Sequence, residues 1–196
     1  MAIISKLLNF PITLNIKLWP MLNRLMLKSR GVVMGRNICI PGRIYVMGKG
    51  KIAIGDDFYF SSGNAVNPIS SNLQGALYVE EGAMLTIGCH VGMSSTRIWA
   101  SKAITIGDHV NIGGGTLITD TDAHSLDWMD RRNNTGEVLS APIVIENDAW
   151  IGAQCIILKG VTIGARTVIG AGSVVTHSIP ADCIAVGNPC KVLRKN

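Results

Sequence analysis

A spacing of six residues runs through the second half of this 196-residue chain and restricts its fold more than any other feature. The aliphatic residues of this series are Ile145, Ile151, Ile157, Ile163, Ile169 and Val175, without exception. Six matches neither the 3.6-residue turn of an α-helix nor the two-residue alternation of an uninterrupted strand. Each hexad must therefore hold a short strand and a corner, and three hexads close one triangular coil. The spacing predicts an all-β solenoid with its aliphatic residues on the axis.

The same phase appears earlier in the chain, and its breaks are informative. It recurs at Ile106, Ile112 and Ile118, and more loosely at Ile54, Phe60 and Val66 and at Ile87 and Met93. From Ile118 to Ile145 is 27 residues, three more than a multiple of six. Because a solenoid can extrude residues only at its surface, we expect a loop over residues 119–142. The solenoid domain is predicted to cover residues 50–196.

Two histidines share the offset of the aliphatic series. His90 and His109 are 19 residues apart, as are Ile87 and Ile106. We therefore expect them to stack on consecutive coils, just past a corner and facing outward.

The composition supports this fold class and suggests a cellular environment. The 22 glycines, and aromatic residues at only 5%, indicate a chain that turns often and packs aliphatic side chains. The five cysteines are odd in number, well separated and never in a Cys-x-x-Cys pair. This argues against a disulfide framework and a zinc knuckle, so we expect a cytoplasmic location.

Residues 1–49 form a separate basic segment in this interpretation. Apolar residues recur at helical spacing at Leu18, Met21, Leu22, Leu25 and Met26. Nine lysines and arginines precede the first acid, Asp56, and eight of them lie within residues 1–49. We expect a short amphipathic helix, interrupted at Pro11 and Pro20, that is neither a membrane span nor a signal peptide. Peripheral contact of residues 1–30 with a membrane, and packing against the rest of the protein, both remain open. No nucleic-acid partner is expected, because no recognised motif is present.

Four further segments give the chain a specific resemblance. They are Asp148–Gly152, Gly160–Gly164, Gly170–Thr176 and Gly187–Val192. With the hexads, they make residues 50–196 resemble the hexapeptide-repeat (left-handed parallel β-helix) acyltransferases, most closely the galactoside, maltose and polysaccharide O-acetyltransferases. The resemblance implies a left-handed coil, a homotrimer and acetyl-CoA as donor.

The predicted loop carries the candidate catalytic base. Transfer of an acetyl group from a thioester to a hydroxyl needs a base, because an unassisted alcohol is a poor nucleophile at neutral pH. In the resembling enzymes the catalytic histidine lies five or six residues past the last aliphatic residue of its coil, and His124 is six past Ile118. Ser125 replaces the proline usual there.

A metal loop is the alternative reading of the same segment. Asp120, Asp122, His124 and Asp127 lack the central glycine and terminal glutamate of a calcium loop, and zinc would want more nitrogen or sulfur donors. We therefore expect no metal.

Further site residues are carried over from the resemblance. The predicted cofactor-binding residues are Trp150 near the thioester, Ala153, Ala171 and Thr176 along the cofactor, and His177, Lys191 and Arg194 at the pantetheine and phosphate end. Ser94, Trp99 and Asp122 are the predicted acceptor-binding residues, since hydroxyls and an aromatic face suit a carbohydrate. Relatives that act on galactosides or maltose carry Asn and Asp where Ser94 and Ala100 or Ser101 stand here, which argues against those particular sugars.

These predictions describe an acetyl-CoA-dependent O-acetyltransferase for a hydroxyl of a sugar or of a polysaccharide or lipopolysaccharide precursor, working in the cytoplasm or at the inner membrane surface. Two alternatives stay open: an acetyltransferase for serine or a small xenobiotic, and a non-catalytic trimeric scaffold.

Overall fold

The computed structural model describes the backbone of residues 2–70 and 72–196, and the side chains of residues 16–69 and 72–196. Helix α1 spans Ala2–Ser29 and helix α2 spans Trp128–Asn133, and a short 3₁₀ turn covers Pro68–Ser70. The strands of this described part are, in chain order, β1 (Val33–Met34), β2 (Ile44–Met47), β3 (Lys51–Ile54), β4 (Tyr59–Ser61), β5 (Gly75–Val79), β6 (Met84–Ile87), β7 (Gly92–Ser94), β8 (Arg97–Ala100), β9 (Ala103–Ile106), β10 (Asn111–Ile112), β11 (Leu117–Thr119), β12 (Ile143–Ile145), β13 (Trp150–Ile151), β14 (Ile156–Ile157), β15 (Thr162–Ile163), β16 (Val168–Ile169), β17 (Val174–Val175), β18 (Cys183–Gly187) and β19 (Cys190–Lys195).

The strands form three sheets that the chain visits in turn. Sheet 1 has the order β1-β3-β6-β9-β12-β15, sheet 2 the order β19-β18-β16-β13-β10-β7-β4, and sheet 3 the order β17-β14-β11-β8-β5-β2. Apart from β19, each strand pairs in parallel with strands of adjacent coils, so that Ile112, Ile151 and Ile169 stand in one row. The predicted three-sided solenoid is confirmed. We call the turns from sheet 1 to 2, from 2 to 3 and from 3 to 1 the first, second and third corners.

The core is the column of aliphatic side chains along the axis. Every member of the series from Ile145 to Val175 has no exposed surface. Each such side chain stabilises the fold by roughly 1.5–3 kcal/mol relative to an exposed one. The period of six is thus the spacing of inward-facing residues.

The first corner carries polar side chains stacked from coil to coil. The rings of His90 and His109 stack with centroids 4.6 Å apart, as predicted. Near the end of the solenoid, the Arg166 Nε donates to Asp182 Oδ1 at 2.5 Å. This guanidinium lowers the pKa of the Asp182 carboxyl.

The solenoid begins ahead of residue 50, so the expected boundary between 49 and 50 is not a structural one. β1 pairs with β3 and β2 with β5, and Ile40 and Ile44 lie in the core. The spacing of buried residues is irregular here, which hides the repeat. Val66, expected in phase, lies in the loop between β4 and β5.

Helix α1 is also longer than predicted, since Pro11 and Pro20 lie within it. After Pro20, packing on the first coil offsets the backbone hydrogen bond that a proline removes. Leu27 is fully buried there, and the Asn23 amide donates to the carbonyl oxygens of Ile40 at 2.9 Å and Gly42 at 2.7 Å. Within the described residues, neither helix combines the length and the apolar character needed to cross a bilayer.

Candidate functional site

A groove of about 470 Å³ opens beside the second corner, on the outer face of sheet 2. It brings together residues from two separate predictions: Ser94, proposed for the acceptor, and Trp150, Ala153 and Ala171, proposed for the cofactor. Trp150 projects from β13 with 58% of its surface exposed and forms one wall.

Much of the groove wall is backbone, because several of its residues are glycines. A Cβ atom added to Gly113 would lie 2.5 Å from the Ala153 nitrogen, and one added to Gly152 would lie 2.5 Å from the Ala171 nitrogen. No side chain fits between these stacked coils. The wall therefore offers peptide groups and small side chains to a ligand, which suits a thin extended chain such as pantetheine.

Polar side chains gather where the groove reaches β7. The Ser94 Oγ accepts hydrogen bonds from Ser61 Oγ at 3.0 Å and from Asn67 Nδ2 at 2.6 Å. Asn67 belongs to the loop between β4 and β5 and was not predicted as a site residue. From Phe60 to Leu77 is 17 residues, one short of three hexads, so the spacing conceals this loop. Pro68 was the signal that could have revealed it.

The predicted base lies on the extruded loop between β11 and β12, at the third corner. His124 is exposed, and its side chain makes no hydrogen bond or ion pair with the described residues. Two contacts fix the loop around it. The buried Asp120 carboxylate accepts the backbone N–H groups of Ser101, Lys102 and Ala103 at 2.6, 2.9 and 2.8 Å.

The second contact is an ion pair. Lys159, which the sequence did not single out, places its Nζ 2.7 Å from Asp122 Oδ1. Asp122 therefore holds the loop to the next coil. His124 lies at the third corner and the groove opens beside the second, so one chain does not bring its predicted base to the predicted cofactor residues of the groove, Trp150, Ala153 and Ala171.

Trp99 also lies apart from the groove. It projects from β8 in sheet 3, where its Nε1 donates to Glu80 Oε1 at 2.8 Å and its ring packs 5.4 Å from that of Tyr78. These contacts stabilise the face of sheet 3. The structure does not bring Trp99 together with Ser94.

The remaining predicted cofactor residues occupy two places. Lys191 and Arg194 are exposed on β19, which pairs antiparallel with β18 at the edge of sheet 2. Thr176 and His177 follow β17 at the third corner, with Thr176 Oγ1 2.8 Å from His177 Nδ1. Basic side chains thus lie at two places near the end of the solenoid.

Comparison with known proteins identifies this architecture. Residues 142–177 match the family described as bacterial transferase hexapeptide (six repeats). Galactoside O-acetyltransferase of Escherichia coli (strain K12) is 46% identical over 92 residues, which are 47% of this chain and 44% of that protein. A putative acetyltransferase of Schizosaccharomyces pombe is 47% identical over 92 residues, 47% of this chain and 43% of that protein. Residues 142–177 thus carry the repeats of that family, and the chain is similar to hexapeptide-repeat acetyltransferases.

Two solved acetyltransferase structures share this fold over most of the chain. A hexapeptide-repeat-containing acetyltransferase from Vibrio cholerae O1 biovar eltor, complexed with acetyl coenzyme A, is 27% identical with a TM-score of 0.58, covering 94% of this chain and 82% of that one. A galactoside acetyltransferase in complex with coenzyme A is 31% identical with a TM-score of 0.52, covering 83% and 64%. The sequence matches to the two curated relatives span less than half of their lengths.

Two cysteines near the end of the solenoid are Cys155 and Cys190, and burial raises the pKa of both thiols. The Cys155 Sγ lies 3.3 Å from the Gly170 carbonyl oxygen. A buried neutral thiol is a poor nucleophile, which disfavours covalent catalysis through cysteine. Among the described residues, no group of histidine, cysteine and carboxylate side chains is placed to hold a metal ion.

Proposed function

We propose that this protein transfers an acetyl group from acetyl-CoA to a hydroxyl of a sugar or of a polysaccharide or lipopolysaccharide precursor. The groove that joins Ser94, Trp150, Ala153 and Ala171 carries this proposal. Its backbone wall fits an extended cofactor, and its polar end fits a hydroxylated acceptor. The acetyl-CoA and coenzyme A complexes of the two structural relatives support the choice of donor.

The chemistry assigned to His124 is general base catalysis. The imidazole takes the proton of the acceptor hydroxyl while its oxygen attacks the thioester carbonyl carbon. Backbone N–H groups beside the loop stabilise the oxyanion. The carbon–sulfur bond then breaks, and the imidazolium returns the proton to the leaving thiolate. Such a base contributes typically about 10²- to 10⁴-fold in rate.

We also propose a homotrimer, which the positions of the two halves of the site support. His124 stands at the third corner, whereas the groove opens beside the second corner. The two can act on one substrate only if the third corner of one prism faces the groove of another. We propose that each active site is shared between neighbouring copies.

Lys191, Arg194 and His177 are assigned to the phosphate end of the cofactor. Lys191 and Arg194 lie on β19 at the edge of sheet 2, beyond the Ala171 side of the groove, whereas His177 lies at the third corner. Lysine and arginine suit phosphate groups through charge and through multiple N–H donors.

The test of the proposed function compares His124→Ala with His109→Ala. His109 is a surface histidine at the first corner and serves as the matched control. Both variants should bind acetyl-CoA like the parent chain, and only His124→Ala should lose acetyl transfer, by about 10²- to 10⁴-fold. Unchanged turnover in His124→Ala would remove the assigned base. Acceptors are screened as a panel of sugars, serine and antibiotics, and a chain that fails to bind CoA would be a scaffold.

Peripheral membrane contact through helix α1 is also proposed. The face of α1 turned away from the first coil exposes a stripe of apolar and basic side chains: Leu18, Met21 and Leu25 beside Lys17, Arg24 and Lys28. A basic stripe next to an apolar one suits an anionic bilayer surface. This would place the enzyme at the inner membrane surface, beside lipid-linked glycans.

Vesicle binding tests this contact. The chain should sediment with phosphatidylglycerol vesicles and not with phosphatidylcholine vesicles. Replacing Leu18, Met21 and Leu25 with serine should abolish sedimentation, whereas Leu126→Ser, at an exposed leucine of the loop, should not. If the serine variant instead changes the oligomeric state, the stripe packs between subunits.

A further inference from the structure

The groove continues past Ser94 into a second cavity of about 300 Å³. The two cavities share Asn67, Ser94, Gly113 and Trp150, so they form one continuous trough on sheet 2. The second cavity adds Tyr59 and Asn111, to which the proposed transfer reaction gives no role.

Strand register explains the shape of this extension. Tyr59, Gly92, Asn111 and Trp150 stand side by side on four neighbouring strands, β4, β7, β10 and β13. At about 4.8 Å per strand, Tyr59 and Trp150 are about 14 Å apart, which is wider than one pyranose ring. Their side chains are 48% and 58% exposed and form the two ends of the row.

Gly92 keeps the space between the two aromatic side chains open. A Cβ atom at this position would lie 2.8 Å from Asn111 Oδ1, so the amide occupies the volume that a larger residue would need. The floor of the trough between Tyr59 and Trp150 therefore has no side chain at Gly92 and carries the Asn111 amide beside it.

The polar groups of this floor are available to a ligand. Among the residues that the structure describes, neither the Asn111 amide nor the Tyr59 hydroxyl has a hydrogen-bond partner, and both side chains are exposed. An amide both donates and accepts hydrogen bonds, and can therefore pair with adjacent hydroxyls of a sugar ring. Aromatic faces pack against the apolar C–H face of such a ring.

The two ends of the trough thus differ in chemistry. Around Gly152, Gly170 and Ala171 it offers backbone and aliphatic surface, whereas around Tyr59 and Asn111 it offers two aromatic ends, an amide and hydroxyls. A serine molecule or a single sugar ring would contact only one of the two aromatic side chains, Tyr59 or Trp150.

We infer that the trough between Tyr59 and Trp150 binds an acceptor of at least two linked sugar rings, with Asn111 bonded to its hydroxyls. This inference rests on the proposed acetyl transfer and names its substrate class. Tyr59 and Asn111 are binding residues in it, and neither takes part in the transfer step.

The test measures binding separately from turnover. The full chain is applied to an array of mono- to tetrasaccharides of bacterial surface glycans, and the affinity of the best-bound sugar is measured by calorimetry alongside that of acetyl-CoA. We expect an oligosaccharide to bind more tightly than its component monosaccharides. Tyr59→Ala and Asn111→Ala should each weaken it about tenfold and leave acetyl-CoA affinity unchanged.

Two variants serve as controls. Tyr45→Ala removes a tyrosine that is 40% exposed on sheet 3, and should change neither affinity. Tyr59→Phe keeps the ring and should retain most of the sugar affinity.

The outcomes separate this inference from the proposed function. If acetyl-CoA binds but no oligosaccharide binds better than a monosaccharide, the glycan site is wrong and acetyl transfer stands. If Tyr59→Ala dissociates the oligomer in light scattering, the row is a subunit contact and the inference also fails. If acetyl-CoA does not bind at all, the proposed function itself fails.

Discussion

The Asp120 carboxylate gives the sharpest test of how the extruded loop is held. It lies at the start of the loop, four residues before His124, and has no exposed surface. Its two oxygens accept three backbone N–H groups from the turn between β8 and β9 in the coil below. Asp120→Ala removes both acceptor oxygens and leaves the three N–H donors with no protein partner.

The size of the effect follows from the number of lost bonds. Leaving a partly buried N–H without its partner costs about 1 kcal/mol or more, so three cost about 3 kcal/mol. For a chain of this length, 3 kcal/mol lowers the midpoint of thermal unfolding by about 6–12 °C. Asp120→Asn keeps the volume but turns one acceptor into an NH₂ donor, so at least one N–H loses its partner and we expect about 1–2 kcal/mol.

Urea denaturation and limited proteolysis measure this prediction. Asp120→Ala should unfold at lower urea and be cleaved faster within residues 120–142. The control is Asp127→Ala, which removes the carboxylate that accepts the Met129 and Asp130 N–H groups at the start of α2. That exposed cap acts locally, so Asp127→Ala should leave the global midpoint unchanged. Equal midpoints for Asp120→Ala and the parent chain would refute the anchoring role.

Three further predictions concern the solenoid itself. Ile157→Ala should lower the free energy of unfolding by about 2–5 kcal/mol in urea titration, because Ile157 is fully buried on the axis. Arg166 lowers the pKa of the folded Asp182 carboxyl, so the pair stabilises the protein above the ordinary aspartate pKa and loses its effect as pH falls through the lowered value. The stability difference between the parent chain and Asp182→Asn should therefore shrink between pH 5 and pH 3. A constant difference would contradict the pairing. The exposed Cys39 should react with a thiol reagent in the native protein, whereas Cys155, whose pKa burial raises, should react only after unfolding.

The sequence predicted those parts of the fold that repeat. The period of six holds because each inward position must carry an aliphatic residue that fits the column, so spacing alone gave the coil and the stacked His90 and His109. It also located the loop to within one residue at each end, since the described loop runs over 120–142. Interruption of helix α1 at its prolines was wrong, because local propensity does not include packing against the first coil.

Contacts between different coils could not be predicted in the same way. Asn67 reaches Ser94 across 27 residues, and Lys159 reaches Asp122 across 37. Neither pair has a spacing that marks it, since both belong to corners where side chains vary freely. Trp99 is close to Ser94 in sequence but not in space. The short separation suggested a shared pocket, whereas the corner between β7 and β8 places the two residues on different sheets.

The three corners of the prism differ in chemistry, and this difference argues for the shared site. At the first corner, His90 stacks on His109 and Arg166 pairs with Asp182, so these side chains already have partners on neighbouring coils. The second corner holds a trough with glycine walls, and the third holds an exposed imidazole on an anchored loop. A trough without a base and a base without a trough are each incomplete for acetyl transfer. Because a corner cannot fold back onto its own prism, the proposed transfer needs a second copy to bring His124 to the trough, and we therefore propose a catalytic unit larger than one chain.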